Sequence, residues 1–161
     1  MSDIASIRPS DGTEDPKGRA PWESFVLAYA AMVPVVAGSV AAWVLADGDG
    51  MVADLTSAWA GGVVCFLAGV RRGLSFRQEG GPTLAQLAAM LWLFVLGVGS
   101  LLLPWLVVAL GLQIAGFATM AVLDPVAARR REVPRYFARL RPVQMLVPIV
   151  ALAALLVRVS F

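Results

Sequence analysis

Histidine is absent from this chain of 161 residues, and cysteine occurs once, at Cys65. The first absence removes the commonest general base and the commonest metal ligand. The second excludes an intrachain disulfide framework and any all-cysteine metal site. Charge is scarce as well: 15% of the residues are Asp, Glu, Lys or Arg and 59% are hydrophobic, against about 25% and roughly 45–50% in an average soluble domain. A soluble domain of this size needs a charged surface to stay in solution. Here nearly all the charge lies in two loops and the N-terminal tail. The net charge of +2 is too small to point to nucleic acid. There is also no Gly-x-Ser-x-Gly elbow and no phosphate-binding Gly-Lys-Ser/Thr loop. Catalytic residues, a cofactor and a metal site are therefore not expected, and the chain reads as a non-enzyme.

No basic stretch runs into an apolar one at the N-terminus, so no secretory signal peptide is expected. Residues 1–23 carry five acids and three bases among Ser, Gly and Pro. Such a segment buries too little apolar surface to offset the entropy of ordering, and a disordered tail is expected there.

What the chain has in quantity is long apolar runs. A helix rises 1.5 Å per residue, so about 20 apolar residues cross a hydrocarbon core of about 30 Å. Residues 24–161 supply five such segments, at approximately 25–46, 55–73, 84–102, 105–123 and 143–159. The third and fourth come from an uncharged run between Leu84 and Leu123, too long for one crossing. Ser100 and Pro104 mark its break, since proline cannot continue the helical hydrogen-bond ladder. The fifth segment is short and contains Pro148, and the alternative for it and for the second is a re-entrant or interfacial helix. No run alternates with period two, which argues against a barrel. The expected fold is an all-α bundle of five transmembrane helices.

Lys and Arg set its orientation. The tail, the second loop and the fourth loop together hold twelve of them, and the opposite face holds only Arg158. The rich face is read as the cytoplasm, or the matrix in an organelle. The expectation is a multi-pass protein of the bacterial inner membrane, its N-terminus cytoplasmic and its C-terminus outside. Trp43, Trp59 and Trp105 then fall at outer helix ends, where aromatic belts form.

Within the second segment Ser57, Gly61, Cys65, Gly69 and Gly73 recur every four residues. This reads as a stripe of small side chains on one helical face, a device for close helix packing in membranes; the alternative is the lining of a passage. Cys65, in apolar surroundings, is expected to be inert. Gln113, near mid-span, is the best candidate for a functional polar contact, with an interhelical hydrogen bond as the plainer reading. Asp47, Asp49 and Asp54 form a turn-like acidic loop, a poor ion cage on its own. In the fourth loop Arg129, Arg130, Arg131, Arg135, Arg139 and Arg141 surround Tyr136 and Phe137. That is the pattern of an interfacial helix over residues 134–141, suited to topology control or to contact with anionic lipid or an acidic partner.

The stretch from Cys65 to Leu74, Cys-Phe-Leu-Ala-Gly-Val-Arg-Arg-Gly-Leu, resembles the signature of the family known as domain of unknown function 3429 (DUF3429). Members commonly read Ser-Phe-Leu-Gly-Gly-(Ile/Val)-(His/Arg)-Trp-Gly-Leu there. Phe66, Leu67, Gly69, Arg71 and Gly73 carry the likeness, while Cys65, Ala68 and Arg72 depart from it. Tyr29 and Pro34 fit a second motif, and Pro104 and Asp124 fall at positions the family also uses. The resemblance implies a multi-pass inner-membrane protein without an assigned activity. The expected role is a non-catalytic accessory, assembly or interaction subunit of a larger membrane complex, its partners the bilayer and either another membrane protein or a second copy. The alternative is a small-solute transporter or channel formed by homo-oligomerisation.

Overall fold

The computed structural model describes Val26, residues 29–45, residues 50–75, Gly81, residues 83–129 and residues 137–161. The expected disordered tail over residues 1–23 lies outside them. So does the arginine cluster from Arg129 to Arg141, apart from the helical backbone of Arg129 and of residues 137–141. Among the described residues five helices follow in order: α1 (Val33–Val44), α2 (Met51–Ser75), α3 (Leu84–Leu102), α4 (Leu106–Arg129) and α5 (Phe137–Ser160). No strand occurs among the described residues. The chain is all-α.

Four of these helices, α2 to α5, are long and apolar enough to cross a membrane. The bundle turns much of its apolar surface outward: Leu84, Leu102, Val44 and Val150 are all exposed. In water such a surface is a liability, and in hydrocarbon it is the solvated face. The helix α1 is different. Its 12 residues reach only about 18 Å, and the expected single helix over residues 25–46 is interrupted by a turn at Ala31 and Met32. Pro34 explains the restart. It lacks an N–H and has its φ preset, so it suits the first turn of a new helix better than the middle of an old one.

The break in the uncharged run falls where Pro104 leads one to expect it. Leu103 closes α3 by donating to the Gly99 carbonyl, and α4 begins at Leu106 after three connecting residues. The helix α4 then runs past Leu123, through Asp124 and Pro125, to Arg129. The helix α5 starts at Phe137 and takes in Pro142 and Pro148, so residues 137–141 continue into it instead of ending a separate helix. At the start of α3, Thr83 and Gln86 form a reciprocal capping box, which satisfies two otherwise orphaned N–H groups.

The hub of the bundle is α2, which touches every other helix. Half of its most apolar stretch is buried, against a third or less in α3, α4 and α5. The most extensive pairings are α4 with α5 and α2 with α3, while α1 lies against α2 and α5. Phe117, Leu110, Met120, Met145 and Leu152 are among the largest fully buried side chains of the core.

Candidate functional site

A helix turns about 100° per residue, so a step of four residues overshoots a full turn by about 40°. Five positions spaced by four therefore wind through about 160° and cannot share one face. That geometry corrects the expectation of a single small-residue stripe on α2. Ser57 faces α4, where its hydroxyl and carbonyl both accept from Gln113. Gly61 and Cys65 face α3: a Cβ on Gly61 would come within 2.7 Å of the Ser100 hydroxyl. Gly69 and Gly73 face outward, with nothing within 4 Å of where a Cβ would sit.

A close backbone approach lies on the other side of the α2–α3 seam, at Gly97. A Cβ there would stand 2.9 Å from the Cys65 amide nitrogen and 2.6 Å from its sulfur. Only a residue without a Cβ permits that contact. Gly69, expected in the packing stripe, takes no part in that contact.

The positions that do share a face of α2 are spaced by seven. Ser57, Val64 and Arg71 all look toward α4, as two turns of a helix bring the chain back to within about 20°. Gln113 Nε2 donates to the Ser57 carbonyl at 2.8 Å and to its hydroxyl at 2.9 Å. Gly116 gives Val64 room, since a Cβ on it would meet the Val64 side chain at 2.9 Å. Arg71 Nη1 then reaches Asp124 Oδ1 at 2.8 Å. The two helices run in the same direction, so their contacts fall at nearly constant separation in sequence, 56 residues for the first pair and 53 for the last.

This last pair is the main charged feature in the described interior. The Arg71 and Asp124 side chains are 12% and 5% exposed. Each ion loses most of its hydration, and their mutual attraction has to offset that cost. The pair therefore tells less about stability than about arrangement: either residue alone would leave a buried charge. A small cleft of about 80 Å³ lies beside it, lined by Arg71, Thr83, Gln86, Ala89 and Leu123 among others. At the opposite end of the bundle a larger cleft of about 220 Å³ is lined by Asp54, Ser57, Ser100 and Pro104. Gln113, fully buried, sits behind Ser57, and its Oε1 finds no donor among the described residues. No group of three or more His, Cys, Asp or Glu side chains that could hold a metal occurs among the described residues.

Residues 20–157, most of the chain, match the model of a family described as Protein of unknown function (DUF3429). The chain belongs to that family. No curated protein and no solved structure matches it. The residues that carry the resemblance in the sequence fall into three structural groups. Leu67 is buried in the core, with Arg71 and Asp124 forming the ion pair. Pro34 and Pro104 govern the breaks before α1 and α4, and Tyr29 supplies the carbonyl that caps the turn at Met32. Phe66, Gly69 and Gly73 point away from the rest of the chain.

The pairing of Arg71 with Asp124 is absent from a reading of apolar runs, although each residue is among those that carry the sequence resemblance. The signal lies in the constant offset between parallel helices: aligning Ser57 with Gln113 places Arg71 opposite Asp124 within one turn. Three indole groups also act as cross-helix clasps: Trp59 donates to the Ala31 carbonyl at 2.9 Å, Trp43 to Ala154 at 3.2 Å and Trp92 to the Thr119 hydroxyl at 3.4 Å. Their spacing in sequence gives no hint of these partners.

Proposed function

We propose that this DUF3429 protein spans the bacterial inner membrane five times and serves as a non-catalytic interaction or assembly subunit of a larger membrane complex. The observation that carries the proposal is the outward face of α2. Although α2 is the hub of the bundle, Gly62, Phe66, Gly69 and Gly73 form a continuous exposed face at spacings of four, three and four. Phe66 is 66% exposed, and a Cβ on any of the three glycines would meet open space. Between helices in lipid, small residues four apart allow backbones to approach closely, and Phe66 supplies a protruding contact. A central helix that keeps such a face clear of its own chain is suited to receiving another.

The division of Lys and Arg, twelve against one, supports a cytoplasmic N-terminus and an external C-terminus. In that orientation the Arg71–Asp124 pair is at the cytoplasmic end and Asp54 at the outer end. The helix α1 completes the fifth crossing together with the helical residues Val26, Tyr29 and Ala30 that precede its turn. Alkaline phosphatase fused to the C-terminus is expected to be active, as the enzyme folds only outside the cytoplasm; an inactive fusion refutes the orientation.

The test of function is a native pull-down. Tagged protein extracted in mild detergent from its own membranes is expected to travel in a discrete complex with stoichiometric protein companions. A monomer or a pure homo-oligomer would sink the subunit reading. The cleft beside Asp54, Ser57 and Ser100 favours the second reading, a small-solute passage formed by association of several copies. Solute flux in liposomes that Gln113→Leu abolishes would establish it.

A further inference from the structure

A groove of about 590 Å³ runs between α1 and α5, walled by Val36, Val40, Val147 and Ala151 among others. That volume is in the range of about 300–1,000 Å³ typical of small-molecule sites. Its lining is apolar with one exception, Ser39 on α1. Ser39 is 3% exposed, and its hydroxyl has no hydrogen-bond partner among the described residues. Buried hydroxyls are normally satisfied, and other hydroxyls of this chain satisfy themselves locally. Thr56, Thr119 and Ser160 each donate to the carbonyl four residues back, and Ser100 donates to Gly97. Ser39 makes no such bond; its side chain lines the groove, and a turn about its Cα–Cβ bond would present the unspent hydroxyl there as a donor.

At one end of the groove stands Trp43, one helical turn or about 6 Å along α1 from Ser39. Its indole donates to Ala154 across the groove, and the Arg158 guanidinium lies 6.0 Å from the centre of its ring. Arg158 is also the lone base that the sequence assigns to that side of the bundle. An apolar trough, a single buried donor and a cation one turn nearer the surface repeat the order of a glycerophospholipid: acyl chain, ester carbonyl, phosphate. A transmembrane helix is a poorer fit, because an apolar span brings no anion to set against Arg158.

We propose that the α1–α5 groove seats one acyl chain of an anionic glycerophospholipid. Ser39 donates to the ester carbonyl, and Arg158, steadied over Trp43, faces the phosphate. The bound lipid fills the seam beside the shortest helix of the bundle and ties α1 to α5.

The test is native mass spectrometry of the full-length protein in mild detergent with added diacyl phosphatidylglycerol, its dialkyl ether analogue or diacyl phosphatidylcholine. The wild type is expected to retain one diacyl phosphatidylglycerol per protomer, at least threefold more than either other lipid. Arg158→Gln is expected to erase the preference over phosphatidylcholine, and Ser39→Ala the preference of ester over ether. Val150→Trp, which fills the groove from an exposed position, is expected to abolish retention while circular dichroism stays unchanged. Equal retention of all three lipids by the wild type overturns the proposal. Undiminished retention in Val150→Trp overturns it too, by placing the lipid on the surface, as does a protein companion that cross-links into the groove in its stead.

Discussion

The two ends of α2 are held by different forces. Toward Asp54 the helix is fixed by close fit, with Gly61 set against Ser100 and Leu101 and Gln113 bonding to Ser57. Toward Arg71 the glycines that look like packing residues face open space, and the contact with α4 ends in one buried ion pair. Close packing is short-ranged and spreads its contribution over many weak contacts. An ion pair concentrates the attachment in two atoms and fails all at once when one partner is lost. The first end should therefore tolerate loss of any single polar group, and the second should not.

The sharpest way to break this contrast is at Asp124. Asp124→Ala leaves the Arg71 charge buried without its carboxylate, and the expected cost is about 3–5 kcal/mol, read by SDS titration of the purified protein. Adding Arg71→Met to that variant removes the stranded charge and is expected to restore most of the loss. If the double variant is no better than the single one, the ion pair is not what holds that end of α2. Gly97→Val is the corresponding change in the close-packed stretch of the α2–α3 seam, between Gly61 and Cys65. It forces a branched side chain against the Cys65 amide, at an expected cost of about 1–3 kcal/mol. The same assay checks it, and an unchanged midpoint would show that α2 and α3 separate more readily than their contact suggests.

Gln113→Leu comes next. Interhelical hydrogen bonds in membranes contribute less than about 2 kcal/mol and often nearer 0.6. The Ser57 carbonyl also keeps a place in its own helix ladder. A loss of about 1 kcal/mol is expected, well below that of Asp124→Ala. A larger loss would mean that the polar contact, and not shape, governs the Asp54 end.

Helix formation was the most legible property, because length and apolarity are local. Pro104 announced the break between α3 and α4 for the same reason. Pro34 carried an equally local signal, the break before α1, but a 22-residue apolar run concealed it. The small-residue pattern on α2 was visible, yet its partners were not: a spacing of four looks like a face over two turns and becomes a spiral over five positions. Contacts between parallel helices, Ser57 with Gln113 and Arg71 with Asp124, depend on which helices become neighbours. No run of hydrophobic residues encodes that. A pair separated by 53 residues becomes readable only after one other contact has set the register.

Gly69→Leu is the smallest expected effect and separates the two parts of the α2 spiral. An isolated protomer should hardly notice it, since the new side chain enters open space; a change within about 0.5 kcal/mol is expected in SDS titration. Leucine also favours the helix over glycine by roughly 0.8 kcal/mol in peptide hosts, so slight stabilisation is the more natural sign. The effect on association is expected to be the opposite. If a partner helix lies against Gly62, Phe66, Gly69 and Gly73, the leucine holds the two backbones apart and the partner is lost from the native pull-down at unchanged membrane yield. Loss of yield together with stability would return Gly69 to the interior of the bundle and contradict the outward turn of α2. Retention of the full complex at full stability would leave that face to lipid, and the contact with any partner would have to be made elsewhere.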